Sequence, residues 1–340
     1  GTQDEDDRRK AAKVGLRDNR LVQKYSRECS MPSKILGIHH ITAIATSAKN
    51  NHEFYTKVLG LRLVKKTVNF DDPGTYHFYY GNETGEPGTL LTFFPWEGIR
   101  RGRLGTGQVT AVSYSVPKGS MKFWLDRFGR YGVIYNNPSE RHGEEVMVFV
   151  DPDGLKLELV SGPEEDDRKP WLADEIPAEH AIRGFHNAAL TLEGYEATAR
   201  LLTEEFGYVK VAEHVNRFRF ENPNGKHAKK IDLVCLPSGQ RGSVAGGSVH
   251  HIAFRVANSD DQMEVRERLV SLGYNVTPRM ERNYFKSIYF REPGGVLFEV
   301  ATDDPGFAID EDVSELGRSL KLPDWLEPRR AEIEKALPEI

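Results

Sequence analysis

Gly37-Ile-His-His-Ile-Thr-Ala-Ile is one of four stretches that open alike. The others are Gln108-Val-Thr-Ala-Val-Ser-Tyr-Ser, Gly184-Phe-His-Asn-Ala-Ala-Leu-Thr and Val249-His-His-Ile-Ala-Phe-Arg-Val. Each is rich in strand-forming residues, and each precedes apolar residues at helical spacing. Phe54, Val58 and Leu59 mark the helical face of the first unit, and Met121, Trp124, Leu125 and Phe128 that of the second. Leu201, Leu202 and Phe206 serve the third, and Val265, Leu269 and Leu272 the fourth. A glycine follows where a helix can end in the left-handed conformation: Gly60, Gly132, Gly207 and Gly273. Three β-like runs then complete each unit: 61–70, 76–80 and 89–94; 133–135, 146–150 and 155–160; 209–213, 218–220 and 231–236; 275–278, 287–290 and 296–300. The unit reads β-α-β-β-β and recurs about every 70 residues. The expected fold class is α+β, built from four such modules in tandem.

The modules divide into an N-terminal domain at 35–162 and a C-terminal domain at 182–303, joined by a charged, proline-containing linker at 163–181. Residues 1–34 read as a charged extension, with 14 charged side chains in the first 30, and a helical lead-in is equally compatible with them. Residues 304–340 form an acidic tail that turns helical near Trp325.

The 340 residues carry 46 basic and 51 acidic side chains, a net charge of −5, and no long basic tract. That balance argues against nucleic acid as a partner. No apolar run approaches the ~18 residues of a membrane helix, so no membrane partner is expected. Two cysteines, Cys29 and Cys235, exclude a disulfide framework and fit a reducing, cytoplasmic compartment. The expected partner is a small molecule. Oligomeric state is not readable, and a homo-oligomer stays open.

Eleven histidines should give roughly 0.4 adjacent pairs by chance. There are two, His39-His40 and His250-His251, each near the start of a module's first strand. Alternation puts His40 and Thr42 on one face of the first strand, and His251 and Arg255 on the matching face of its counterpart. Asp151-Pro-Asp-Gly-Leu-Lys-Leu-Glu and Glu292-Pro-Gly-Gly-Val-Leu-Phe-Glu each place a glutamate six residues after a proline, Glu158 and Glu299. Turn chemistry explains the proline and glycines. It does not explain a carboxylate inside an apolar strand. His40, His251 and Glu299 together make two imidazoles and one carboxylate, a set that suits non-haem Fe(II) and leaves coordination positions open; Mn(II) tolerates the same donors.

At these residues the chain resembles the vicinal oxygen chelate superfamily, the glyoxalase/bleomycin resistance/extradiol dioxygenase group, whose paired modules form cupped sheets. Gly37-Ile-His-His-Ile-Thr, Pro87-Gly-Thr-Leu-Leu-Thr-Phe-Phe-Pro, Arg183-Gly-Phe-His, Val249-His-His-Ile-Ala-Phe and Pro293-Gly-Gly-Val-Leu-Phe-Glu are similar to hydroquinone ring-cleaving dioxygenases from residue 35 to about 320. The resemblance implies His40, His251 and Glu299 as iron ligands, and Thr42, His250, Arg282, Tyr289 and His39 around them. Strict alternation sets His39 and His250 on the opposite face, so packing roles for these two stay open. The resemblance further implies that units one and four share the metal-binding cup. Units two and three would form a second cup with Thr110, Asn187 and Glu158 at the matching positions, with no histidine at either key position, and it should not hold the same metal.

The implied activity is ring cleavage of a hydroquinone-type diol by O₂, with Phe93, Phe185 and Tyr284 as candidate pocket walls. A glyoxalase-type isomerase would want a fourth, carboxylate corner from the last strand of unit one. Aligning the Pro-Gly turns puts Phe93 there with Thr92 beside it, and neither can serve. A non-catalytic binder of aromatic toxins or antibiotics is the alternative from another class.

Overall fold

The computed structural model describes residues 33–162 and 165–340; nearly all of the expected N-terminal extension and the first two residues of the expected linker lie outside these. Lys34–Ile340 forms one compact unit. The first module contains β1 (Ile38–Ala45), α1 (Ala48–Glu53) running into a π turn at Phe54–Val58, β2 (Arg62–Asn69), β3 (Asp72–Gly81) and β4 (Leu90–Pro95). The second contains β5 (Gln108–Ser115), α2 (Met121–Tyr131), β6 (Ser139–Arg141), β7 (Glu144–Val150) and β8 (Lys156–Ser161). The third contains β9 (Gly184–Leu192), α3 (Glu196–Arg200) with a π turn at Leu201–Glu205, β10 (Val209–His214), β11 (Arg217–Glu221) and β12 (Lys230–Cys235). The fourth contains β13 (Ser248–Val256), α4 (Ser259–Ser271), β14 (Met280–Glu281), β15 (Lys286–Arg291) and β16 (Leu297–Thr302). A short helix, α5 (Arg330–Ala336), lies in the tail.

Local chemistry sets the helix ends. Ser47 caps α1 from its hydroxyl, and the Asn258 side chain accepts from the first-turn amides of α4. The four glycines after the helices have φ of 66°, 66°, 72° and 87°, the left-handed region that a side chain would strain. Modules one and three share the π turn and modules two and four do not, so the duplicated unit is a pair of modules.

Two eight-stranded sheets result, ordered β14-β15-β16-β13-β1-β4-β3-β2 and β10-β11-β12-β9-β5-β8-β7-β6. Each takes one module from either half of the chain, with β1 antiparallel to β13 and β5 antiparallel to β9 at the centres. One apolar core lies between the sheets and includes Tyr55, Phe93, Tyr114, Trp124 and Phe185. The carboxylates that open the two proline turns tie neighbouring modules across it. Tyr55 donates to Asp151 at 3.0 Å, and Thr198 donates to Glu292 at 2.5 Å.

Two expected strands sit elsewhere. Residues 133–135 contribute a single bridge, Tyr135 to Phe149, and the edge strand is β6; residues 275–278 give way to β14. Both are outermost strands with little buried face to pin their register, and Ile134 is 75 % exposed. Among the described residues no helix is long and apolar enough to cross a membrane.

Candidate metal centre

Three adjacent strands of the first sheet, β16, β13 and β1, bring Glu299, His251 and His40 together. Glu299 Oε2 lies 2.9 Å from His251 Nε2 and 3.4 Å from His40 Nε2, and the two Nε2 atoms are 3.4 Å apart. All three residues are buried. Ser287 donates to Glu299 Oε1 at 2.5 Å, while Oε2 is buried without a directed hydrogen bond. A buried carboxylate oxygen facing two imidazole nitrogens, with no Arg or Lys contact among the described residues, is a donor set that a divalent cation satisfies.

The preceding histidines orient the donors. His39 Nδ1 is 2.9 Å from His40 Nδ1, and His250 Nδ1 is 2.8 Å from His251 Nδ1. With Nδ1–H donating backwards, Nε2 of His40 and of His251 is left with its lone pair toward the shared point. Strict alternation failed here because of β-bulges. The β1–β13 register skips at His39 and again at His250, so each extra residue lies beside the histidine that follows it. Burial, with the neighbouring imidazole second, lowers the His39 and His250 rings, the latter to about 3. Burial also lowers His251. For Glu299 burial works against the charge, and the facing imidazoles hold the carboxyl below the usual range only while a proton sits on Nε2 between them.

The two histidine donors open into a cavity of about 360 Å³, of a size that takes a small aromatic molecule. His250, Arg282 and Tyr289 line it, while His39 backs His40 from outside and packs on Phe285. Thr42 is fully buried and bonded to Thr92 at 2.8 Å. Burial raises the Tyr289 hydroxyl and the Glu299 charge adds to this, so it stays protonated. Arg255 lies away from the cavity, paired with Asp303 at 2.7 Å.

The expected walls are corrected. Phe93 packs on Tyr55 in the core, Phe185 stacks on Tyr114 in the other sheet, and Tyr284 stacks on Phe307. The cavity is walled instead by Phe94, Trp96, Tyr79, Phe285 and Leu297. The pairing of β1 with β4 and of β13 with β16 explains the slip. Thr42 faces Thr92 as Ala253 faces Glu299, so Thr92, one residue before Phe93, is the true counterpart of Glu299. His77, which the sequence reading missed, lines the cavity and fixes this corner, with Nε2 2.9 Å from Thr92 Oγ1 and Nδ1 2.9 Å from the Tyr79 hydroxyl. Alternation along β3 puts His77 and Tyr79 on one face, a signal that was present but unanchored.

The second cup corrects one further position. Thr110 is the bulge residue matching His250, and Ala111 stands where His251 does, while Asn187 and Glu158 match His40 and Glu299. Guanidinium groups fill this centre. Arg141 binds Glu158 at 3.0 and 2.5 Å, and Arg219 and Arg217 bind Asp232, the counterpart of Thr92, at 2.7 and 2.9 Å. Every corner carboxylate there already has its cation.

Cupped sheets of paired β-α-β-β-β modules around a His/His/Glu donor set define a metal-binding member of the vicinal oxygen chelate fold. The chain belongs to the Glyoxalase/Bleomycin resistance protein/Dioxygenase superfamily, whose profile matches residues 37–159 and 175–300. It is 48% identical over 307 residues to the proposed ring-cleaving dioxygenase MhqO of Bacillus subtilis, covering 90% of this chain and 97% of that one. It is 36% identical over 312 residues to the chlorohydroquinone/hydroquinone 1,2-dioxygenase of Sphingobium indicum, covering 89% and 96%. A crystal structure of a proposed dioxygenase from Bacillus subtilis superposes with a TM-score of 0.87 at 47% identity, covering 91% and 98%.

Proposed function

We propose that this protein is a non-haem Fe(II)-dependent dioxygenase that opens the ring of a hydroquinone-type diol with O₂, in the cytoplasm. The observation that carries the reading is the convergence of His40, His251 and Glu299 on one buried point with a threonine, not a carboxylate, at the fourth corner. His40, His251 and Glu299 would hold the iron. Bound there, Fe(II) supplies acidification of a ring hydroxyl and an electron path between ring and O₂. Phe94, Trp96 and Phe285 offer apolar faces that hold the ring flat and exclude water. The protonated Tyr289 hydroxyl and the Arg282 guanidinium, 3.3 Å apart, are donors toward developing negative charge on oxygen. His250, with Nδ1 occupied by His251, keeps Nε2–H as a further donor at the cavity wall. The sequence similarity to a chlorohydroquinone/hydroquinone dioxygenase supports the substrate class.

The test is anaerobic loading with Fe(II) or Mn(II), metal analysis, and O₂ uptake on hydroquinones and catechols. About one metal per chain and O₂-dependent conversion of hydroquinone to an open-chain acid is expected. Uptake with catechols only would remove the substrate assignment. Isomerisation of a glutathione hemithioacetal without O₂ uptake would replace the reaction.

A further inference from the structure

The mouth of the cavity carries a second, opposed pair of charges. Arg282 lies between β14 and β15, with its guanidinium carbon 5.5 Å from the Tyr289 ring centre. Its Nη1 meets Asp71 Oδ2, in the β2–β3 turn, at 3.3 Å. The Asp71 amide donates to Asn69 Oδ1 at 3.0 Å, which holds that turn in place. The Asp71 side chain is 71% exposed and that of Arg282 only 19%, so the carboxylate stands outermost and the guanidinium faces in. Among the residues lining the cavity, Arg282 is the one guanidinium or ammonium group and Asp71 the one carboxylate. Four histidines, Asn69 and aromatic or aliphatic side chains complete the lining.

We propose that Asp71 sets substrate specificity: by neutralising Arg282 at the rim, it makes the site select diols with uncharged ring substituents and reject carboxylated ones. This rests on the hydroquinone reading above. An unpaired guanidinium at a pocket mouth is a ready fork for a carboxylate. With Asp71 against it, an incoming ring carboxylate meets a like charge within a few ångströms and must share or displace the existing pair. At a solvated rim such a contact changes affinity by a factor of roughly ten or less, and salt screens it.

The experiment compares the parent with Asp71→Asn and Asp71→Glu, all loaded with Fe(II), on hydroquinone and 2,5-dihydroxybenzoate at low and high salt. It reads kcat/KM, and separately anaerobic binding by quenching of tryptophan fluorescence, since Trp96 lines the cavity. The expected result is a ~5–10-fold rise in the dihydroxybenzoate-to-hydroquinone ratio for Asp71→Asn, in both readouts, shrinking at high salt. Asp71→Glu should keep the parent ratio. An unchanged ratio in Asp71→Asn, or an equal rise in Asp71→Glu, overturns the proposal. A parent that binds hydroquinone without turning it over counts against the dioxygenase reading alone, because the binding ratio still decides the role of Asp71. A parent that binds neither ring overturns both.

Discussion

Replacing Glu299 by Gln should have opposite consequences in the metal-free and metal-loaded protein. Without metal, Glu299 is a fully buried carboxylate facing two imidazoles, with only Ser287 donating to it and no Arg or Lys in contact among the described residues. Gln keeps the shape and removes the charge, so the metal-free variant should be as stable as the parent or up to ~2 kcal/mol more stable. Its counterpart behaves differently. Glu158 is clamped by Arg141 at 3.0 and 2.5 Å and accepts from Ser113 at 2.6 Å. Glu158→Gln leaves a guanidinium without its anion, which costs about 3 kcal/mol, the low end for a broken buried pair because Arg141 is partly solvated. Metal reverses the order. A parent holding Fe(II) at about 1,000 times its dissociation constant gains about 4 kcal/mol, a gain that Glu299→Gln should lose and Glu158→Gln should keep. At ~1–2 °C per kcal/mol for a chain of this length, these differences are readable as melting temperatures of stripped and anaerobically loaded protein. Iron per folded chain and O₂ uptake should follow the same split. If Glu299→Gln destabilises the stripped protein as much as Glu158→Gln, and iron still raises its melting temperature as in the parent, Glu299 is structural and the donor set is wrongly assigned.

Two further outcomes are expected. Thr92→Glu puts a carboxylate at the corner opposite Glu299, so it should tighten metal binding and suppress O₂ uptake by filling a position that the reaction needs open; metal affinity and turnover that both stay at parent values would remove Thr92 from that corner. The second concerns acid stability. Burial would raise the Asp166 carboxyl, but its pair with Arg168 at 2.5 Å holds it down to about 2. Since the folded pKa lies below the unfolded one, the pair stabilises by about 2 kcal/mol above pH ~4, and this is lost as pH falls toward 2. Asp166→Asn should flatten that part of the stability curve; an acid limb identical to the parent's in urea titrations would refute it.

The repeat made the fold legible. Hydrophobic period, the glycine after each helix and the Pro-Gly turn before each last strand are local signals, and they recur four times, so each module vouches for the others. The paired histidines and the buried glutamates were legible for a related reason. An ionisable residue inside an apolar strand contradicts its surroundings, and such conflicts mark sites. What failed were the details that one residue of register controls. Phe94, not Phe93, lines the cavity, Ala111, not Thr110, matches His251, and the bulges bring His39 and His250 beside the histidines that follow them.

The sequence by itself thus determined the modules, their helices and the identity of the three residues that meet at the centre, because periodicity and composition are properties of the chain. Only the tertiary structure decided the rest. The bulges at His39 and His250 come from pairing between β1 and β13, strands more than 200 residues apart, and a bulge leaves no mark in the local alternation. The threonine corner with His77 behind it and the guanidinium groups that fill the second cup likewise join residues from different strands, and Asp71 against Arg282 joins different modules. Their chemistry depends on distance in space, which the order of residues along one strand does not carry.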